Sequence, residues 1–105
     1  MESEHILVLC TYPDRETAKV AARRLLDARL CACINLTGPF TSLYRWKGEL
    51  REDDEVQLTI KTRADRRDAL AHALREAHPY ELPEILVLPV SGSEEYLQWI
   101  DSCVE

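Results

Sequence analysis

Residues Asn35 to Arg63 read NLTGPFTSLYRWKGELREDDEVQLTIKTR. In the second half Val56, Leu58 and Ile60 alternate with Gln57, Thr59 and Lys61, the period of a strand with one buried face. The first half carries Leu36, Phe40, Leu43, Tyr44 and Trp46, and Gly48 follows where the chain can reverse. Two strands joined near Trp46-Lys47-Gly48 make an arm larger than one short hairpin needs. Such an arm has to be covered, by helices of its own chain or by another subunit. Pro39 cannot donate to a ladder, so a bend or bulge is expected at Gly38-Pro39 before the strand resumes over Thr41 to Trp46. The run Glu52-Asp53-Asp54-Glu55 reads as a wet arm or the approach to a strand over Glu55 to Thr62.

Outward from this arm, His5 to Thr11 (HILVLCT) is a mostly apolar strand. Tyr12-Pro13-Asp14 ends it, with Asp14 or Thr17 as cap for a helix over Glu16 to Leu30. Ala18, Ala21, Ala22, Leu25 and Ala28 lie near one face of that helix, small enough to let it approach a sheet closely. Cys31 to Leu36 returns to strand character. A second helix is expected over Asp65 to Ala77, capped by Asp65, with Leu70 and Leu74 on its stripe and Pro79 barring extension. Ile85 to Val90 (ILVLPV) is a strand that Pro89 assigns to an edge or a strand end. A final helix from Glu94 carries Tyr96, Leu97, Trp99, Ile100, Cys103 and Val104, and is too short to persist undocked.

The order β-α-β-β-α-β plus a terminal helix predicts an α+β fold. Its form is the ferredoxin-like antiparallel sheet with two helices on one face. The other face keeps apolar and aromatic side chains that a lone chain exposes. Oligomerisation is the economical remedy, and it would employ Tyr44, Trp46 and Trp99.

At 105 residues the chain is the size of one domain, spanning 1–105. No apolar run reaches transmembrane length, so no membrane partner is expected. No basic segment followed by an apolar one opens the chain, which makes the cytoplasm the expected location. Thirteen basic residues against nineteen acidic ones leave a formal charge of −6, which argues against a nucleic-acid partner.

Four cysteines, Cys10, Cys31, Cys33 and Cys103, form no CxxC pair. The strongest candidate constellation for chemistry is Cys10, Cys33 and His78. Thiolate and imidazole suit copper or zinc better than magnesium or calcium. Cys10 ends the first strand, Cys33 begins the second and His78 ends the second helix, so they could gather at one sheet edge. Three ligands leave a coordination position open, so any metal is reversible cargo and no cofactor is needed for folding. Tyr80, Glu81 and Glu84 lie on a polar connection open to a ligand, and Lys61 beside Thr62 could bind an anion. Trp46 reads as an interface anchor, since no basic stripe surrounds it. No Gly-rich phosphate loop, HExxH or GxSxG is present in the sequence, and no enzymatic activity is expected.

Four blocks in order, Cys10-Thr-Tyr-Pro-Asp14, Ser42-Leu-Tyr-Arg-Trp-Lys-Gly48, Glu55-Val-Gln-Leu-Thr-Ile-Lys-Thr62 and His78-Pro-Tyr-Glu-Leu-Pro-Glu-Ile85, are followed by Tyr96-Leu-x-Trp-Ile100. Together they resemble the CutA family of divalent-cation-tolerance proteins, from about Ile6 to Ile100. The resemblance implies a ferredoxin-like fold assembled as a cyclic homotrimer, similar in architecture to PII signalling proteins. It implies a part in the response to metal ions, with copper binding around residues equivalent to Cys10, Cys33 and His78. The alternative it leaves open is a PII-like scaffold that binds a small ligand or a protein, with metal binding incidental.

Overall fold

Strand β1 (His5–Tyr12) runs through the middle of a four-stranded sheet whose order is β2-β3-β1-β4, every neighbouring pair antiparallel. The structure, a computed structural model, describes residues 4–105. After β1 come α1 (Arg15–Asp27), β2 (Cys33–Trp46) and β3 (Glu49–Arg63). A 3-10 turn (Ala64–Arg66) then leads into α2 (Arg67–Glu76), β4 (Leu86–Val90) and α3 (Glu94–Cys103). This is the expected ferredoxin-like order with an added C-terminal helix. Pro89 does sit on an edge strand, where its missing N–H costs no ladder bond.

The strand alternation sorts side chains between two faces. On one, Ile6, Val8, Cys10 and Tyr12 of β1 stand opposite Thr62, Ile60, Leu58 and Val56 of β3, and all eight are buried. Ala18, Ala22 and Leu25 of α1 and Leu70 and Leu74 of α2 close this core. Each large aliphatic side chain so buried contributes about 1.5–3 kcal/mol. The buried Thr62 hydroxyl is satisfied by donating to the Leu30 carbonyl at 2.7 Å.

Local chemistry sets the helix ends. Asp14 caps α1, its carboxylate accepting the Thr17 N–H at 2.8 Å. The helix stops at Asp27 rather than Leu30, because Arg29 turns left-handed at φ 56°. The Arg29 and Leu30 N–H groups then bond back to the Leu26 and Leu25 carbonyls, closing a Schellman motif. Asp65 does not cap α2. It lies within the 3-10 turn and accepts instead from Arg63 Nε at 3.0 Å.

The arm departs most from expectation. β3 begins at Glu49, six residues before the expected Glu55, so the acidic run lies within the ladder. Its partners explain this. Tyr44 donates to Asp53 and Thr41 to Asp54, while backbone pairing with Phe40 to Trp46 overrides the low strand preference of carboxylates. β2 continues through Gly38-Pro39 with a register shift between Thr37 and Phe40. Gly38, at φ 121°, is required there: a Cβ would lie 2.8 Å from the Glu55 carbonyl. At the tip Lys47 and Gly48 both have positive φ, 51° and 81°, the signature of a type I′ hairpin turn.

On the sheet face away from α1 and α2, α3 covers part of the strands. Ser93 caps it, His5 of β1 bonds Asp101 at 2.8 Å, and the Lys61 ammonium stands 5.8 Å over the Tyr96 ring. The helix is docked through Ile100 and Val104. Beyond it Leu86, Leu88, Tyr96 and Trp99 remain exposed, and on the arm Leu43 and Leu50 are 66% and 71% exposed.

Candidate functional site

The connection from α2 to β4, residues 77–85, curls over the end of β1 and lies against the base of the arm. Pro79 bars extension of α2, and Pro79 and Pro83 restrict the backbone of the connection that carries His78, Tyr80 and Glu84. The His78 ring stacks on Tyr12, centroids 4.4 Å apart, and meets the Tyr80 ring at 4.9 Å. Both of its nitrogens are engaged. Nε2 lies 2.8 Å from the Thr11 carbonyl, to which it donates, and Nδ1 accepts the Tyr80 N–H at 3.1 Å. That geometry selects the neutral Nε2–H tautomer. Burial holds the imidazole below its ordinary range, in keeping with a neutral ring.

Around this histidine is a polar cluster. The Tyr80 hydroxyl donates to Glu55 Oε2 at 2.8 Å, and the hydroxyl's pKa is raised by burial first and by the Glu55 carboxylate second. Glu84 is likewise pushed up, by burial and then by repulsion from Glu55. The negative charge of Glu55 beside Glu84 makes the cluster electrostatically suited to a cationic group. Glu81 pairs instead with Lys47 at the arm tip, 3.5 Å apart and well exposed. Sequence reasoning found Tyr80 and Glu84 here but missed Glu55, Tyr12 and Thr11. Glu55 was hidden inside a charge run, and only the cross-strand register places it at the arm's base.

Cys10, Cys33 and His78 do not gather into one site within the chain. Cys10 stands opposite Leu58 on the helix-covered face, while Cys33 pairs with Lys61, one of the residues of opposite parity. A strand sends alternate side chains to opposite faces, so the sheet itself separates the two thiols. Cys10 is fully buried, and burial pushes its thiol up to about 12. His78 could ligate only by giving up a hydrogen bond. Among the described residues no group of three His, Cys, Asp or Glu side chains is placed to hold a metal ion. Lys61 also stands apart from the cluster, toward the far end of β3 beneath Tyr96. Trp46 is half-buried at the arm tip with the Lys47 ammonium 5.6 Å over its ring, and Trp99 packs its ring 5.4 Å from Tyr96.

The sequence pattern of the family described as CutA1 divalent ion tolerance protein matches residues 6–103. The chain belongs to the CutA family. A divalent-cation tolerance protein CutA of Citrobacter koseri is 44% identical over 100 residues, covering 94% of this chain and 87% of the relative. The solved divalent cation tolerance protein of Thermus thermophilus superposes with a TM-score of 0.92 at 39% identity, covering 96% of this chain and 99% of that one. CutA1 of Oryza sativa superposes at 0.93 with 33% identity, covering 99% and 96%. The four-stranded antiparallel sheet with its extra C-terminal helix is thus the CutA fold. In this CutA chain no helix among the described residues is long and apolar enough to cross a membrane.

Proposed function

We propose that the protein serves divalent-cation tolerance as a homotrimer that binds copper or another soft metal ion, with Cys33 as the accessible thiol. The observation that carries this reading is the place of Cys33. It is half-exposed at the start of β2, on the face that α1 and α2 leave open, where a neighbouring subunit's groups can complete a coordination shell. Cys10, in contrast, supports the core, and His78 holds its loop to β1. Metal is not needed for folding, since the core closes through packed, mostly apolar side chains of β1, β3, α1 and α2.

Competition titration of the reduced protein with Cu(I) and Zn(II) tests this. Cys33→Ser should abolish stoichiometric retention, while Cys10→Ser and His78→Ala should leave it largely intact. Wild-type protein indifferent to both metals would sink the reading. Chelator treatment should leave the melting temperature unchanged. A second reading, a PII-like scaffold for a small ligand, is favoured by the Glu55–Tyr80–Glu84 cluster between the loop and the arm. It predicts a cationic ligand whose binding is lost in Glu55→Gln and is unaffected by Cys33→Ser.

A further inference from the structure

Cys31 and Cys103, which neither reading uses, line one cavity. It has a volume of about 400 Å³ and lies between the end of α1 and the end of α3, with Asp27, Arg29 and Ser102 also on its walls. The chain's course brings the two cysteines there from residues far apart in sequence. The Glu105 N–H donates to the Arg29 carbonyl at 3.1 Å, and Val104 is extended (φ −104°, ψ 134°). The C-terminal residues therefore run beside the segment leading into β2. Ser102 and Cys103 share the cavity with Cys31 and Ala32. Two residues back from Glu105 and two forward from Arg29 are Cys103 and Cys31. Cys31 is buried, and Cys103 is half-buried as the last residue of α3.

We propose that Cys31 and Cys103 are a thiol pair that closes to an intrachain disulfide under oxidation, locking α3 to the start of β2. The oxidant is a small-molecule disulfide such as oxidised glutathione. The accessible Cys103 thiolate attacks one of its sulfurs, forming a mixed disulfide and releasing one thiol. Cys31 then loses its proton and attacks the Cys103 sulfur. The second small thiol leaves, so one disulfide is consumed, one is formed and two small thiols are released. Cys103 is the last residue of α3, and the buried Val104 and the Glu105–Arg29 bond hold it beside the cavity.

Charge favours a disulfide over a metal bridge. Burial pushes the Cys31 thiol up to about 12, so the site resists negative charge. A disulfide is neutral, whereas two thiolates on a monovalent soft ion would keep a net negative charge at the buried Cys31, in a cavity walled by both Asp27 and Arg29. The high value also makes Cys31 a slow resolving thiol, so the mixed disulfide at Cys103 should accumulate before the bridge closes.

The test uses the full chain, reduced and then equilibrated in glutathione buffers of increasing oxidation. Mass spectrometry with peptide mapping should show a loss of two hydrogens and a single Cys31–Cys103 cross-linked peptide, formed after a glutathionylated Cys103 intermediate. The oxidised form should melt higher, by roughly 10 °C, because the bridge closes a long loop. Cys103→Ser, a change at a half-exposed helix end, should form no bridge and show no shift. Cys31→Ser should stop at the mixed disulfide. Four freely alkylated thiols under oxidation, or a Cys103 bridge to Cys33 or to another chain, would overturn the proposal. So would one equivalent of Cu(I) held by the reduced wild type and lost in Cys103→Ser without any disulfide.

Discussion

The body of the molecule and its arm are made from the same two strands and reach opposite outcomes. From Val56 to Thr62, β3 buries every second side chain against β1 and two helices. From Glu49 to Asp54 the same strand pairs with β2, and every one of its residues is exposed. Both halves of β3 are paired with β2, on either side of the register shift. What distinguishes them is a second layer, and an isolated two-stranded ribbon is marginal in water without one. Leu43 and Leu50 give the ribbon apolar side chains that no element among the described residues buries. Gly38 marks the boundary, where the register shifts and the ribbon leaves the sheet.

The sharpest separation of the two regions comes from Leu70→Ala. Leu70 is fully buried in the body, and its truncation should cost about 2–5 kcal/mol in denaturant unfolding. The arm's contacts should not soften that loss. Gly38→Ala comes next, at about 2–3 kcal/mol, because the added methyl needs a disfavoured backbone angle and meets a backbone oxygen that cannot yield. It should disturb body and arm together, and amide exchange should rise on both sides of the bulge. Trp46→Ala acts at the arm tip and should weaken assembly by about 2 kcal/mol while leaving the far-ultraviolet spectrum unchanged. If its assembly midpoint matches wild type, Trp46 is a loop residue and the outside layer lies elsewhere on the arm.

The smallest effect concerns the loop between them. The folded His78 titrates below its ordinary value of 6.5, chiefly through burial. The unfolded chain therefore binds a proton first as pH falls. The stability that His78 contributes is complete above pH 6.5 and declines as pH drops from there toward the depressed folded value. Nuclear magnetic resonance of the ring should report a midpoint below 6.5 and a proton on Nε2. A midpoint above that value would mean that the loop is not held as described.

The body was legible in the sequence because its alternation is strict: Val56, Leu58 and Ile60 fix a face, and Leu70 with Leu74 supplies the helix that covers it. The arm was legible as an arm but not in extent, since Glu52 to Glu55 have no local preference for a strand. Their placement comes from partners such as Tyr44 and Thr41 on the other strand. The family was legible from four sequence blocks. The site was less so: linear position put Cys10 and Cys33 on neighbouring elements, whereas their convergence depended on parity and register. Cys33 pairs with Lys61 and Cys10 with Leu58, an odd step that turns the thiols to opposite faces. Glu55 shows the reverse case, a residue with no motif that the register brings to Tyr80.

Whether the arm's missing layer is supplied by two further copies of this chain is the central claim, and sedimentation equilibrium across a dilution series tests it most directly. The account predicts three chain masses down to low micromolar concentration, with a melting temperature that rises as protein concentration increases. A folded monomer at low micromolar concentration, melting at the same temperature whatever the dilution, would contradict it.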